Sequence, residues 1–391
     1  MKKKIWMAAA LAAVVLVAVL YRAAMTEPPE GPQGEIADPD EQALIAQMVP
    51  QAIAVVNRNR ETMIKEAVKD QPFRRFAHAK AHSCVRANFK ILDVPDRLRI
   101  GLFAKPAEYQ AWIRLSNGDP SIQKDSKDDA RGMAVKVMGV PGEKLLDLEN
   151  DAQTQDFVMM NAPRFFVRDI REYALFMRYA AEGKVQLLRF FFPWNFLEWR
   201  PRDFRLLIAT LGAAPDSILN AQFYSVSAYK LGAQSNVKYS ARPCTPRPAP
   251  AADRSAADFL RTGLVKQLSL SSACFELLVQ IQAPSKNMPV EDLTVEWKES
   301  DSPFVPVARM EIAQQEFDTP EQNAFCEGLS FTPWHALPEH RPIGNLNRAR
   351  RALYLAVSQY RRSQMGVPVA EPQGWCLKVG APCEPVPTSP R

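Results

Sequence analysis

The sequence predicts an α+β fold built around a mainly antiparallel sheet or barrel, with flanking helices, behind one N-terminal transmembrane helix. Three observations carry this. Short runs rich in β formers, bounded by turn signals, recur across residues 86–160 and again across 222–312. Helical periodicity marks separate segments, chiefly 41–69, 169–182 and 345–362, so strands and helices come in blocks. An uncharged run, residues 5–21, lies between Lys2-Lys3-Lys4 and Arg22.

Residues 1–24 form the membrane anchor. Cleavage after Ala24 puts Arg22 at −3, and cleavage after Ala23 puts Tyr21 there. An uncleaved anchor therefore fits better than a signal peptide, which stays the alternative. The lysines stay in the cytoplasm and the bulk of the chain is extracytoplasmic, the periplasm in a Gram-negative bacterium. Residues 25–40, rich in Pro, Glu and Gly, read as a linker. One domain spans 41–365. Its helix over 41–69, with a break near Pro50, places Ile45, Val49, Ile53 and Val56 on one stripe. Strands are expected at 86–92, 111–115, 132–138 and 155–160, with Asn117-Gly118-Asp119-Pro120 as a turn. Helices follow at 169–182 and 201–211, where Pro201 suits a first turn. Strands return at 222–228 and 235–240, a Pro-rich connection at 242–251 leads to a short helix at 256–264, and strands at 275–282 and 305–312 complete the set. A Pro-rich tail covers 366–391.

At 47% hydrophobic, 24% charged and a net charge of +6, the composition is that of a globular protein. Basic residues are not interleaved with exposed aromatics in any recognisable motif, so nucleic acid is not an expected partner. The sequence has neither a Gly-rich phosphate loop nor a nucleophile elbow. Its six cysteines have no metal-site spacing and no C-x-x-C-H, which argues against c-type haem attachment. Cys376 and Cys383 could bridge in an oxidising compartment, but the sequence does not fix the pairing.

Two local anomalies point to chemistry. His78 lies in the apolar stretch Phe76-Ala77-His78-Ala79, three residues after Arg75. That setting suits acid–base work near neutral pH, or a histidine satisfied by a backbone carbonyl. On the helix over 345–362, Leu346, Arg350, Leu353, Tyr354, Val357 and Arg361 share one stripe. An arginine inside an apolar stripe needs a partner. Arg350 and Tyr354, four residues apart, can touch, and a guanidinium beside a phenol favours phenolate, an iron ligand in some haem proteins. A surface helix with a tyrosine at its core edge is the plainer alternative.

Taken in order, these segments resemble the haem catalase family. The carriers are Arg75-Phe76-Ala77-His78-Ala79-Lys80, Trp112 to Gly118 and Asp129-Ala130-Arg131-Gly132-Met133-Ala134-Val135-Lys136. Asn161-Ala162-Pro163-Arg164-Phe165-Phe166-Val167-Arg168-Asp169, Glu291-Asp292 with Trp297, residues 331–342, and Arg350-x-x-x-Tyr354 continue the series. The resemblance covers roughly residues 70–362 and implies an antiparallel β-barrel core.

The resemblance also implies roles. His78 is the distal acid–base, Asn161 helps hold peroxide, and Ser116 bonds the far nitrogen of His78. Tyr354 ligates the iron of haem b as tyrosinate and Arg350 keeps it ionised. Arg75, Arg114 and Arg361 meet the haem propionates, Asp129 matches an acidic channel residue, and Phe165 or Phe166 packs near the porphyrin. Hydrogen peroxide or an organic hydroperoxide is the implied substrate, with an unidentified electron donor and a possible homo-oligomer. The alternatives are a haem-dependent lyase or isomerase of fatty-acid hydroperoxides, and a non-catalytic haem-binding protein. The chain departs from the larger catalases at Ala81-His82, where they have Gly after His-Ala-Lys, and at Met133 and Met160. His78-x-x-x-His82 also has the spacing of a metal pair on a helix, but a strand is expected there. The chain is also shorter, which implies a wider entrance that favours bulkier hydroperoxides.

Overall fold

The computed structural model describes residues 2–26, 33–67, 72–146, 152–245 and 253–377. Nine antiparallel strands form one sheet: β1 (Ala81–Ile91), β2 (Glu108–Asn117), β3 (Arg131–Met138), β4 (Thr154–Met160), β5 (Phe223–Tyr224), β6 (Tyr229–Leu231), β7 (Ser235–Pro243), β8 (Ala273–Ile281) and β9 (Val305–Ile312). The order β5-β4-β3-β2-β1-β9-β8-β7 closes on itself because β5 also pairs with β7, giving an eight-stranded barrel with β6 at its edge. Closure removes the open edges that an eight-stranded sheet would otherwise expose.

Alternation along each strand divides inside from outside. Val85, Ala87, Phe89 and Ile91 of β1 belong to the barrel core, as do Ala111, Ile113 and Leu115 of β2 and Met133, Val135 and Val137 of β3. Phe157 of β4 and Tyr239 of β7 meet there edge to face at 5.0 Å. The interior is therefore packed. The other register, with Arg114 and Ser116 on β2, Gly132 and Ala134 on β3 and Val158 on β4, faces outward and builds the wall of the site.

Helices α1 (Lys2–Met25), α2 (Glu41–Lys65), α3 (Ile170–Glu182), α4 (Lys184–Phe191), α5 (Pro201–Thr210), α6 (Phe259–Leu270), α7 (Pro320–Gly328) and α8 (Asn345–Met365) surround the barrel. Asp169 caps α3, accepting from the backbone of Arg171 and Glu172. α8 ends at Gly366 in the left-handed conformation, φ 65°, where Val367 N donates to Arg362 O at 2.9 Å. α2, α3 and α8 bury Ile45, Met48, Ala174, Met177, Leu353 and Val357 against one another.

Several expectations change. α2 runs through Pro50 without a break; its buried stripe, Ile45, Met48, Ala52 and Val56, holds the turn that the missing N–H weakens. The strand expected over 222–228 shortens to Phe223–Tyr224, and the helix expected at 256–264 is α6, shifted to Phe259–Leu270. α4 and α7 are additional. A helix does form over the expected anchor, but among the described residues no helix is long and apolar enough to cross a membrane. The 17 uncharged residues 5–21 span about 25 Å, short of a ~30 Å hydrocarbon core. Within the stretches read as linker and tail, Glu35 pairs with Arg341 at 2.6 Å, and Glu371 pairs with Lys136 and with Arg362 at 3.2 Å. Disulfides join Cys84 to Cys326 and Cys244 to Cys274. The Cys376–Cys383 pairing considered from the sequence rests on Cys383, which lies outside the described residues.

Candidate active site

His78 precedes β1 with φ +56°, a left-handed conformation that a β-carbon disfavours. The strain is held from both sides: His78 N donates to Gly118 O at 3.0 Å and Arg114 Nη2 donates to His78 O at 2.8 Å. The ring is fixed as well. Nδ1 lies 3.0 Å from the carbonyl oxygen of Asn117 and 3.2 Å from Ser116 Oγ. A carbonyl only accepts, so Nδ1 carries the proton and Nε2 keeps a free lone pair. Burial, then the nearby charges of Arg114, Arg350 and Arg75, push the His78 pKa down to about 4, against a weaker upward pull from the Asn117 carbonyl. The imidazole is therefore neutral at neutral pH. Gly132 makes room for it: a β-carbon there would stand 2.4 Å from His78 Nδ1 and 2.9 Å from Ser116 Oγ.

Two adjoining clefts of about 670 and 680 Å³ share His78, Phe76, Val158, Met159 and Tyr354 in their walls. Arg75, Arg114, Ser116 and Arg361 line the first; Phe165, Tyr173 and Arg350 line the second. Tyr354, on α8, meets Phe76 edge to face at 5.9 Å. The Arg350 guanidinium lies 5.1 Å from the Tyr354 ring centre and donates to Ser227 Oγ and Asn347 Oδ1, each at 3.1 Å. Burial opposes the charge of Arg350, but Tyr354 and Tyr229 outweigh it and raise its pKa.

At the other end of the first cleft, arginines crowd together. Arg75 pairs with Glu327 at 3.0 Å, Arg361 at 2.7 Å and Arg74 at 3.5 Å. Arg114 stands near them, and its Nε is buried with no hydrogen-bond partner. Burial alone would raise the Glu327 pKa; Arg75, Arg361, Arg114 and Arg74 override it and hold the carboxyl near 2. Burial and the neighbouring Arg75 push Arg361 down to about 9. Three guanidiniums thus pair with one carboxylate, and a fourth, Arg114, lies close by. An unsatisfied Arg114 Nε and this excess of positive charge fit a group that brings two carboxylates, as the propionates of haem do.

The structure thus brings His78, Ser116, Arg75, Arg114, Arg350, Arg361, Phe165 and Tyr354 to the clefts. Phe166 sits one layer back, 4.4 Å from Phe165 between ring centres, in a second apolar cluster. Asn161 lines neither cleft; its Oδ1 accepts from Arg131 N at 2.6 Å. Asp129 likewise turns away, accepting from Asp119 N and Gln123 Nε2. His82 lies on β1, and its Nε2 donates to Asn117 Oδ1 at 2.8 Å. Asn117 therefore holds both histidines, one through its carbonyl and one through its side chain. The sequence marks Asn117 as the start of a turn and as part of the Trp112–Gly118 stretch, with no role of its own, and does not mark Glu327 at all.

The sequence profile of the catalase family matches residues 60–339, ending before Tyr354. No curated protein matches the sequence. Among solved structures, a bacterial catalase aligns with a TM-score of 0.59 at 17% identity over 94% of this chain and 70% of its own length. A fungal catalase aligns with a TM-score of 0.57 at 17% identity over 78% of this chain and 61% of its own. Catalase A from Saccharomyces cerevisiae gives 0.56 at 16% identity, covering 86% and 68%. The shared fold and the profile match over most of the domain lead to one conclusion: the chain belongs to the catalase family.

Proposed function

We propose that the chain is a haem-dependent peroxidase or catalase that reduces hydrogen peroxide or organic hydroperoxides. The observation that carries the reading is His78: strained, neutral, with Nδ1 pinned and Nε2 free, on a cleft that also contains Tyr354 and an excess of arginines. Haem, when bound, supplies the redox-active iron at which a peroxide O–O bond is broken. Tyr354 would hold that iron, with the Arg350 guanidinium 5.1 Å from its ring centre. Arg75, Arg114 and Arg361 would receive the propionates. His78 Nε2 takes the proton from the near peroxide oxygen and delivers it to the far one, so that water leaves rather than hydroxide. Asn161, which lines neither cleft, acts at one remove: its oxygen accepts from Arg131 N and so fixes the end of β3 that carries Gly132. The two disulfides support an extracytoplasmic location, where such bonds persist.

The test is His78→Ala in the full chain, followed by the absorption of bound haem and by peroxide consumption. Haem binding should persist while the rate falls by about 10²-fold or more. A wild-type rate in this variant would remove His78 from the chemistry. Product analysis with a fatty-acid hydroperoxide separates reduction from rearrangement: alcohols support the proposal, and allene oxides or aldehydes in their place overturn it.

A further inference from the structure

The strongest feature outside the clefts is the segment joining α4 to α5. Trp194, Phe196 and Leu197 are 91%, 68% and 79% exposed, and Leu188 and Ile208 on the flanking helices are also exposed. Isolated apolar side chains on a surface need no explanation, but an aromatic-rich cluster at a loop tip does. The cluster is rigidly backed. Phe192 packs on Trp199 and Phe204 at 5.5 and 5.1 Å, and Phe191 packs on Phe204 at 5.4 Å and on Phe166 at 6.2 Å. Phe166 in turn touches Phe165, which lines the cleft.

Charge and neighbourhood indicate what covers this surface. Residues 184–205 carry five basic residues and two acidic ones, and the exposed Arg189 lies 5.5 Å from the Trp194 ring centre. α1 lies against α5, where Arg205 Nε donates to Ala24 O at 2.7 Å. α1 exposes Val14, Val15, Val17 and Val19 and begins with three lysines. Tryptophan and phenylalanine beside arginine, next to a helix whose residues 5–21 are uncharged and apolar, match the headgroup boundary of an anionic bilayer. Trp194, Phe196 and Leu197 together fall below the ~800 Å² per partner of a stable protein interface.

We propose that the 192–199 loop is a membrane-interface wedge that inserts its Trp194-Phe196-Leu197 tip into an anionic lipid surface and docks the barrel beside α1. Among the described residues no helix is long and apolar enough to cross a membrane, and the loop supplies a second hold beside α1. This does not depend on the peroxide reading. Docking brings the α4–α5 unit, and the cleft its rings lead to, close to membrane lipids.

The experiment uses the full chain carrying Leu197→Cys labelled with an environment-sensitive fluorophore. It is mixed with vesicles of phosphatidylglycerol and phosphatidylcholine, or of phosphatidylcholine alone. The expected result is a blue-shifted emission that is stronger with phosphatidylglycerol. The Trp194→Ser/Phe196→Ser double variant should lower vesicle partitioning about tenfold or more while keeping the folded far-ultraviolet spectrum. Vesicle binding through the rest of the chain with no change in emission at position 197 overturns the proposal. So does a blue shift that rises with protein concentration in the absence of lipid, which would make the loop a contact between copies.

Discussion

Burial and hydrogen bonding at His78 set a pH dependence that differs from that of a free imidazole. An unperturbed histidine would lose its basic nitrogen below about 6.5. Here burial, reinforced by Arg114, lowers the pKa to about 4, so Nε2 stays available down to that pH. Peroxide turnover is therefore expected to be flat between about pH 5 and 8, with an acid limb near 4. An inflection near 6.5 in the kcat/KM profile would show a solvated histidine and contradict the placement. Gly132 gives a second residue-scale test. Gly132→Ala puts a methyl where His78 Nδ1 now lies, so the ring must move away from Asn117 and Ser116. Activity should fall by about 10²-fold, the scale of lost acid–base positioning, with bound haem retained. A fully active variant would show that the ring position is unimportant. His78 could be picked out in the sequence from its apolar neighbours; its strain and the Gly132 clearance could not, because both arise from chain segments 36 to 54 residues further on.

At the scale of elements, the arginine cluster depends on α7. Thr319 caps this helix and Pro320 fills its first turn. The Cys84–Cys326 bond ties the far end of α7 to β1, which places Glu327 among Arg74, Arg75 and Arg361. Removing the carboxylate leaves buried guanidiniums facing one another. Glu327→Gln should destabilise the haem-free chain by about 3–5 kcal/mol. The loss should be smaller with haem bound, because its propionates bring two charges of the missing sign. Thermal unfolding with and without haem checks this; equal losses in both states would separate the arginines from the propionates. Thr319-Pro320 is a start signal the sequence displays, yet the helix behind it has few apolar positions at helical spacing. α8 was clear because Leu346, Leu353 and Val357 recur at the right interval and an arginine interrupts them. Register, by contrast, came only from pairing: β5 keeps two residues because its segment bends to reach both β4 and β7.

Over the whole molecule, the barrel is a filled support and the site lies on its outer wall beneath α8. The inward residues of β2, β3 and β4 pack the core, while the alternate residues meet His78, Tyr354 and the arginines. That alternation explains why the strands and the site could be read from the same stretches of sequence. Segments outside the expected domain take part as well: Glu35 holds Arg341 and Arg348, and Glu371 joins Lys136 and Arg362. These were not legible, because single charged residues in Pro-rich stretches gain meaning only from distant partners. The most direct test of the central claim is a titration of the full-length, haem-free chain and its Tyr354→Phe variant with ferric haem, followed by absorption. The wild-type chain should take up one haem with the charge-transfer spectrum of a tyrosinate–iron bond, and Tyr354→Phe should lose that spectrum and most of the binding. Stoichiometric haem uptake with an unchanged spectrum in Tyr354→Phe would contradict it.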